Sequence, residues 1–239
     1  MCDTCGCGDP DVVSVDIQER ILAKNDRIAK HNREHFAERN LICVNLMGSP
    51  GAGKTAILEA LSREAGGTLR LAAIAGDLAT ANDARRLETA GIRSVTINTG
   101  SACHLDAEMV HHALHELDLE GIDYLFIENV GNLVCPAIYD LGQMLNVIAL
   151  SVTEGEDKPL KYPVMFKGAD LVLVTKSDLL EHLPEIEVER IEESLRHVMP
   201  KPRCMVVSSR PNFGVERWLE WLQKKRSMLL EGTESMAGV

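Results

Sequence analysis

Eight consecutive residues carry the strongest chemical signal in the chain. Gly48-Ser49-Pro50-Gly51-Ala52-Gly53-Lys54-Thr55 satisfies G-x-x-x-x-G-K-[ST] at every fixed position. Glycines let backbone N–H groups close around a β-phosphate without Cβ clashes, and the helix that follows presents its positive end. Gly48, Gly51, Ala52 and Gly53, with Lys54, Thr55 and Ala56, are the expected phosphate-binding positions. Lys54 is expected to bridge the β- and γ-phosphates and Thr55 to hold Mg²⁺ through its hydroxyl. A glycine-rich turn without a ligand is the bland alternative. The apolar strand before the loop and the helix-like stretch 56–62 after it weigh against that reading.

Two carboxylates follow later apolar runs, where ligands sit in open α/β sheets. Asp77 ends Ile74-Ala75-Gly76-Asp77, and Glu128 begins E-x-x-G with Gly131. Either acid can hold Mg²⁺ or a water of its shell, and the Gly131 N–H can meet the γ-phosphate. Lys54, Asp77 and Glu128 form the expected catalytic group. For Asp77 a helix N-cap is a fair rival, and for Glu128 the rival is a capping or solvated acid. Base choice rests on Thr175-Lys176-Ser177-Asp178, which keeps the Lys and Asp of N-K-x-D but replaces its Asn. The Asp178 carboxylate would accept from guanine N1 and the exocyclic amine, a donor pair that adenine lacks, while the Lys176 stem packs along the base. Ser208 stands where a second base-contacting loop is expected. The nucleotide read from these residues is GTP, with Mg²⁺.

Soft metal donors form two sets. Cys2, Cys5 and Cys7 make C-x-x-C-x-C beside the α-amino group, a compact thiolate set that could impose a planar geometry suited to Ni²⁺ or Cu²⁺. A zinc knuckle, a redox dithiol and an accidental cluster are the alternatives. Cys103-His104 and Cys135 lie near the segments expected to sense the γ-phosphate. Buried cysteines and a helix-capping histidine explain them as readily as a Ni²⁺ or Zn²⁺ site. His111, His112 and His115 include an i, i+4 pair, which a solvated helix face explains. Cys43 and Cys204 read as core residues in strands.

The elements that must position these groups are legible as alternation. Apolar runs at 42–47, 69–75, 94–97, 124–127, 146–152, 171–174 and 205–207 are separated by amphipathic stretches such as 79–90, 107–117 and 187–198. Runs apolar on both sides are strands covered on two faces, so the expected fold is α/β, a mostly parallel doubly wound sheet of about seven strands. A flexible cysteine-rich tail is expected over 1–13, a helix capped by Ser14 over 14–40, the nucleotide-binding domain over 41–230 and a second flexible tail over 231–239. In 239 residues, 45% are apolar and 26% charged, the balance of an ordinary globular protein. The net charge of −11 argues against nucleic acid or an anionic membrane as partner. No run of about 18 apolar residues and no secretory signal is visible. The seven cysteines therefore read as reduced thiols in a cytoplasm.

Together these residues resemble the hydrogenase maturation GTPases (HypB) that deliver nickel to [NiFe]-hydrogenase precursors. The nickel motif C-x-x-C-G-C falls on Cys2, Cys5, Gly6 and Cys7, and the metal site of the nucleotide-binding domain falls on Cys103, His104 and Cys135. The stretches 76–80 and 128–136 carry the resemblance further. It implies a GTP-dependent homodimer, metal binding coupled to nucleotide state, and as partners a nickel accessory protein and the hydrogenase large-subunit precursor. Lys161 is the nearest match to a lysine that approaches the partner's nucleotide. No arginine is clearly placed to act in cis, so slow intrinsic turnover is expected. Three rivals are a GTPase serving urease or a cobalamin enzyme, a metal carrier with a regulatory or vestigial nucleotide site, and a positioning ATPase.

Overall fold

The computed structural model describes residues 10–77, 82–100 and 102–237, with side chains described over 19–76, 82–100 and 102–231. Each of the seven apolar runs forms a strand. These are β1 (Ile42–Gly48), β2 (Leu71–Asp77), β3 (Arg93–Asn98), β4 (Tyr124–Glu128), β5 (Leu145–Ser151), β6 (Leu171–Thr175) and β7 (Cys204–Val206). All pair in parallel in the order β3-β2-β4-β1-β5-β6-β7. The central strands β1, β4 and β6 are buried at every position, whereas the edge strands β3 and β7 are half-buried or exposed. A strand covered by helices on both faces needs apolar side chains on both, which is why these runs lack the period-2 alternation of a one-faced sheet.

Helices cover the two faces. On one, α2 (Lys54–Ala65) and α8 (Val215–Ala237) bury Leu58, Leu61, Trp218 and Leu222 against Val44, Leu46 and Phe126. On the other, α1 (Pro10–Ala37) and α4 (Ala107–Leu114) set Phe36, Val110 and Leu114 against Ile74, Leu125 and Ile127. The short α3 (Asn82–Thr89) follows β2. α5 (Lys158–Lys161), α6 (Pro163–Lys167) and α7 (Val188–Val198) lie beyond β5, and Phe166, Ile191 and Leu195 from α6 and α7 close a third cluster around Ile148 and Val174. Among the described residues no helix is long and apolar enough to cross a membrane.

Several boundaries differ from the sequence reading. The first helix starts at Pro10, so residues 10–13 belong to it and Ser14 lies inside it; proline suits a first helical turn, where its missing N–H has no partner to lose. The last helix runs on to Ala237, through the stretch expected as a tail, because nothing in 231–237 stops it as proline would. Val152 leaves β5 for a 3₁₀ turn, Val152–Glu154, held by a reciprocal Ser151–Glu154 capping box. Cys204 is half-buried on edge strand β7, with its thiol 3.5 Å from a Glu192 oxygen, rather than a core residue like Cys43.

Candidate nucleotide cleft and metal centre

β1 ends at Gly48, against β5. A Cβ there would stand 2.4 Å from the Ala149 carbonyl oxygen, so only glycine lets the loop begin this close to the sheet. The loop rises into α2, whose N-cap Gly53 supplies no side-chain acceptor. The first-turn N–H groups and the helix dipole therefore face an incoming anion. Lys54, 8% exposed, lays its ammonium against the carbonyls of Gly48 (3.4 Å) and Ser49 (3.3 Å). Burial lowers its pKa, while Glu128, Asp83 and Glu154 pull the other way. A buried ammonium held, among the described residues, by two long bonds gains strongly from a phosphate oxygen.

Thr55 donates its hydroxyl to Glu128 Oε1 at 2.7 Å. The other oxygen, Glu128 Oε2, is buried and has no hydrogen-bond partner among the described residues. An orphaned carboxylate oxygen beside a hydroxyl is an incomplete set of hard oxygen ligands, and it fits Mg²⁺. Asp77 closes β2 opposite Asn98; its side chain lies outside the described residues. Gly131 presses its backbone on the loop, since a Cβ would come within 2.8 Å of Pro50 N and Cα. Pro50, Gly51, Gly53, Lys54, Thr55, Ala56, Glu128 and Gly131 line one cleft of about 450 Å³.

Burial pushes the Glu128 carboxyl up to about 7, against the Thr55 hydrogen bond and Lys54. A carboxyl raised from 4.5 to about 7 holds its proton more tightly folded than unfolded. The resulting penalty is absent below about pH 4.5, grows as pH rises and is complete above about pH 7, on the order of 3 kcal/mol. In the nucleotide-free chain, Glu128→Gln is therefore expected to flatten the fall in stability between those two pH values, followed by chemical denaturation. Parallel slopes for the two proteins would contradict the placement of Glu128.

On the base side, Lys176 takes a left-handed conformation (φ 58°) at the start of the 3₁₀ turn Ser177–His182. Asp178 Oδ1 accepts from the buried Ser208 hydroxyl, which also accepts the Arg210 N–H. Thr175, standing where the motif has Asn, donates its hydroxyl to the Ala52 carbonyl at 2.6 Å. The replacement thus ties the base loop to the phosphate loop. Four contributors carried no clear signal in the sequence. Asp83 and Arg86 of α3 line the phosphate cleft, and Arg86 is held by Glu59 (2.8 and 2.9 Å) and Asp83 (3.4 Å). Glu154 accepts the Ser49 hydroxyl. Asn132 is the fourth.

The second centre assembles from two loops. Cys103 Sγ lies 3.0 Å from Cys135 Sγ and 3.6 Å from His104 Nδ1. The three ligand atoms all fall within 4.8 Å of one another. His104 is not a helix cap; Asp106 caps α4 by accepting the Met109 N–H, and the His104 ring instead stacks on Tyr139 at 3.9 Å. Cys135 opens the 3₁₀ turn Cys135–Ala137. The hydrogen bond to Cys135, then burial, raises the Cys103 pKa, so an ion binding there displaces protons. Two thiols and an imidazole suit Ni²⁺ or Zn²⁺. Asn132 joins the two centres. Its backbone N–H donates to the Gly48 carbonyl (3.1 Å), its Nδ2 to the Cys103 carbonyl (3.1 Å), and its Oδ1 accepts the Val134 N–H (2.8 Å). Cys2, Cys5 and Cys7 lie outside the described residues. Lys161 pairs with Asp157 at 2.7 Å.

Residues 42–205, which hold all of these described groups except Ser208 and Arg210, match the family described as CobW/HypB/UreG, nucleotide-binding domain. The hydrogenase maturation factor HypB of Azotobacter vinelandii is 51% identical over 215 residues, covering 90% of this chain and 70% of that one. The chain belongs to the HypB family of P-loop GTPases. The hydrogenase/urease maturation factor HypB of Helicobacter hepaticus is 42% identical over 218 residues, 90% of this chain and 89% of that one. Among solved structures, HypB from Helicobacter pylori in complex with nickel matches with a TM-score of 0.81 at 38% identity, covering 87% of this chain and 97% of that one. The HypB assignment and the parallel P-loop fold agree with what the motifs and the strand alternation imply.

Proposed function

We propose that this HypB-family chain is a GTP-hydrolysing metallochaperone that binds nickel and delivers it to a [NiFe]-hydrogenase precursor. Nucleotide state governs both dimerisation and metal transfer. The Asn132 bridge carries this reading, because one side chain and its own backbone touch the phosphate loop and the cysteine centre together. Lys54 neutralises the β- and γ-phosphates, Asp178 and Lys176 select guanine with Ser208 behind them, and Gly131 meets the γ-phosphate. Thr55 and Glu128, with Asp77, hold Mg²⁺, which supplies charge neutralisation at the phosphate oxygens when bound. Arg86 is engaged by Glu59 and Asp83, so intrinsic turnover is slow, well below about 1 s⁻¹. Cys2, Cys5 and Cys7 take up nickel, and Cys103, His104 and Cys135 hold nickel in exchange with zinc.

Exposed apolar Val134 and Ile138 flank Cys135, and Leu160 and Val164 are exposed as well. Ile138 and Val164 line one groove, a surface suited to a second copy of the chain with GTP bound. Lys161, released from Asp157, then reaches the partner's nucleotide. A nickel accessory protein and the hydrogenase large-subunit precursor are the remaining partners, in the cytoplasm. Service to urease is a second reading, favoured by the similarity to the hydrogenase/urease maturation factor of Helicobacter hepaticus; nickel transfer to each precursor separates the two.

The decisive experiment titrates Ni²⁺ into the reduced protein with and without Mg²⁺ and a non-hydrolysable GTP analogue. Nucleotide is expected to change the affinity of the Cys103 site by about 5- to 150-fold, and Asn132→Ala to bring that ratio close to one. A site indifferent to nucleotide in the unsubstituted chain would leave a GTPase with an independent metal centre and remove the coupling.

A further inference from the structure

Away from both centres, α1 and α4 bring together a group of imidazoles. His111 and His115 are one turn apart on α4, so their rings leave the same face of the helix. Their Nε2 atoms stand 3.3 Å apart, with the ring planes at 88°. The His31 ring centroid lies 5.2 Å from that of His111. His35, whose buried Nδ1 has no hydrogen-bond partner among the described residues, lines a cleft of about 550 Å³ together with His115.

Asn32 decides which nitrogen of His111 is available. It is fully buried, and its Nδ2 donates to the carbonyls of Ala107 (2.9 Å) and Leu141 (3.2 Å). Carbonyls only accept, so the amide cannot be turned round, and its Oδ1 faces His111 Nδ1 at 3.1 Å. That oxygen requires an N–H on Nδ1. In neutral His111 the lone pair is therefore on Nε2, the atom aimed at His115. An outer N–H held by a carbonyl is also what orients metal-ligating imidazoles generally.

The spacing suits chelation. Two nitrogens each about 2.05 Å from one ion, at the tetrahedral angle, are separated by about 3.3 Å. We propose that His111 and His115 form a bidentate imidazole site for a late first-row divalent ion, Ni²⁺ or Zn²⁺, at the edge of the cleft that His35 also lines. Without metal, His115 donates Nε2–H to His111 Nε2. On binding, His115 shifts that proton to its Nδ1 and the ion takes its place between the two lone pairs. Among the described residues no third His, Cys, Asp or Glu atom stands close enough to both nitrogens to complete a three-ligand group. Water fills the remaining positions, and the site is weaker than the cysteine centre. Imidazole pairs suit Ni²⁺, Cu²⁺ and Zn²⁺ rather than hard cations such as Mg²⁺.

The test uses the full chain with C2S, C5S, C7S, C103S and C135S, which removes both thiol sites, titrated with Ni²⁺ with and without H115Q. His115 is exposed, so H115Q leaves the fold intact, checked by circular dichroism and GTP binding. One bound equivalent is expected, with affinity falling by at least about 10-fold in H115Q, which removes a direct donor and not an outer-shell partner. In parallel, Ni²⁺ is added to the unsubstituted chain beyond the capacity of its thiols, and the histidine ring protons are followed by NMR. His111 and His115 should broaden together, ahead of the distant His182 and His197. Nickel binding that H115Q does not weaken, or broadening spread evenly over the histidines, overturns the proposal.

Discussion

Lys54→Ala lowers GTP turnover at saturating nucleotide by about 10²–10³-fold, the cost of removing one preorganised donor from developing charge. The ammonium is 8% exposed and rests on two carbonyls at 3.3 and 3.4 Å, bonds too long to repay its desolvation. Phosphate oxygens are the partner that makes the position favourable. Folding stability of the nucleotide-free chain should therefore hold or rise in the variant while hydrolysis is lost, a split that phosphate release and thermal unfolding together resolve. Turnover within tenfold of the unsubstituted chain would mean that Lys54 does not contact the transferred phosphate.

Cys135→Ser weakens nickel binding at the second centre by more than about 100-fold, because it removes a direct donor rather than one of the outer-shell partners worth about 10- to 100-fold. Cys135 Sγ is 3.0 Å from Cys103 Sγ, and its hydrogen bond is the leading cause of the raised Cys103 pKa. The substitution removes one of the two thiol protons that an ion must displace, so residual metal binding in the variant should depend less steeply on pH. Thiolate-to-nickel absorption follows both effects, provided the N-terminal cysteines are substituted in every sample. A loss smaller than tenfold would show that Cys103 and His104 alone carry the ion.

The bidentate histidine site changes how the α4 face is understood. A run of exposed histidines on a helix is ordinarily a solvated surface, and the i, i+4 spacing of His111 and His115 does not by itself say otherwise. Asn32 makes the difference from a position 79 residues earlier in the chain. Its amide is locked by carbonyls from two other segments, Ala107 and Leu141. No reading of 107–117 alone could have found it.

The chain's local pattern determined a good deal unaided. Backbone cradles for phosphate need glycine, a lysine and a hydroxyl at set spacing, so 48–55 announces the site before any fold is known. Strands covered on two faces must be apolar on both, so all seven strands of the sheet could be counted from their runs. Helix ends were less legible, because continuation past 231 or a start at Pro10 depends on small local preferences that neighbouring residues outvote. What only the tertiary structure decided is proximity between residues distant in sequence. Thr175 read as a defect in the guanine motif until its hydroxyl met Ala52, and nothing in the sequence singled out Arg86 until α3 laid it along the phosphate cleft. Cys103, His104 and Cys135 were as consistent with a capping histidine and buried thiols as with a metal centre until two loops set them within one ion's reach. Asn32 carried no signal at all, and Asn132 none beyond its place in the stretch 128–136. An amide acts by the geometry of its partners, and those partners arrive from other strands and helices, so its role exists only once the chain has folded.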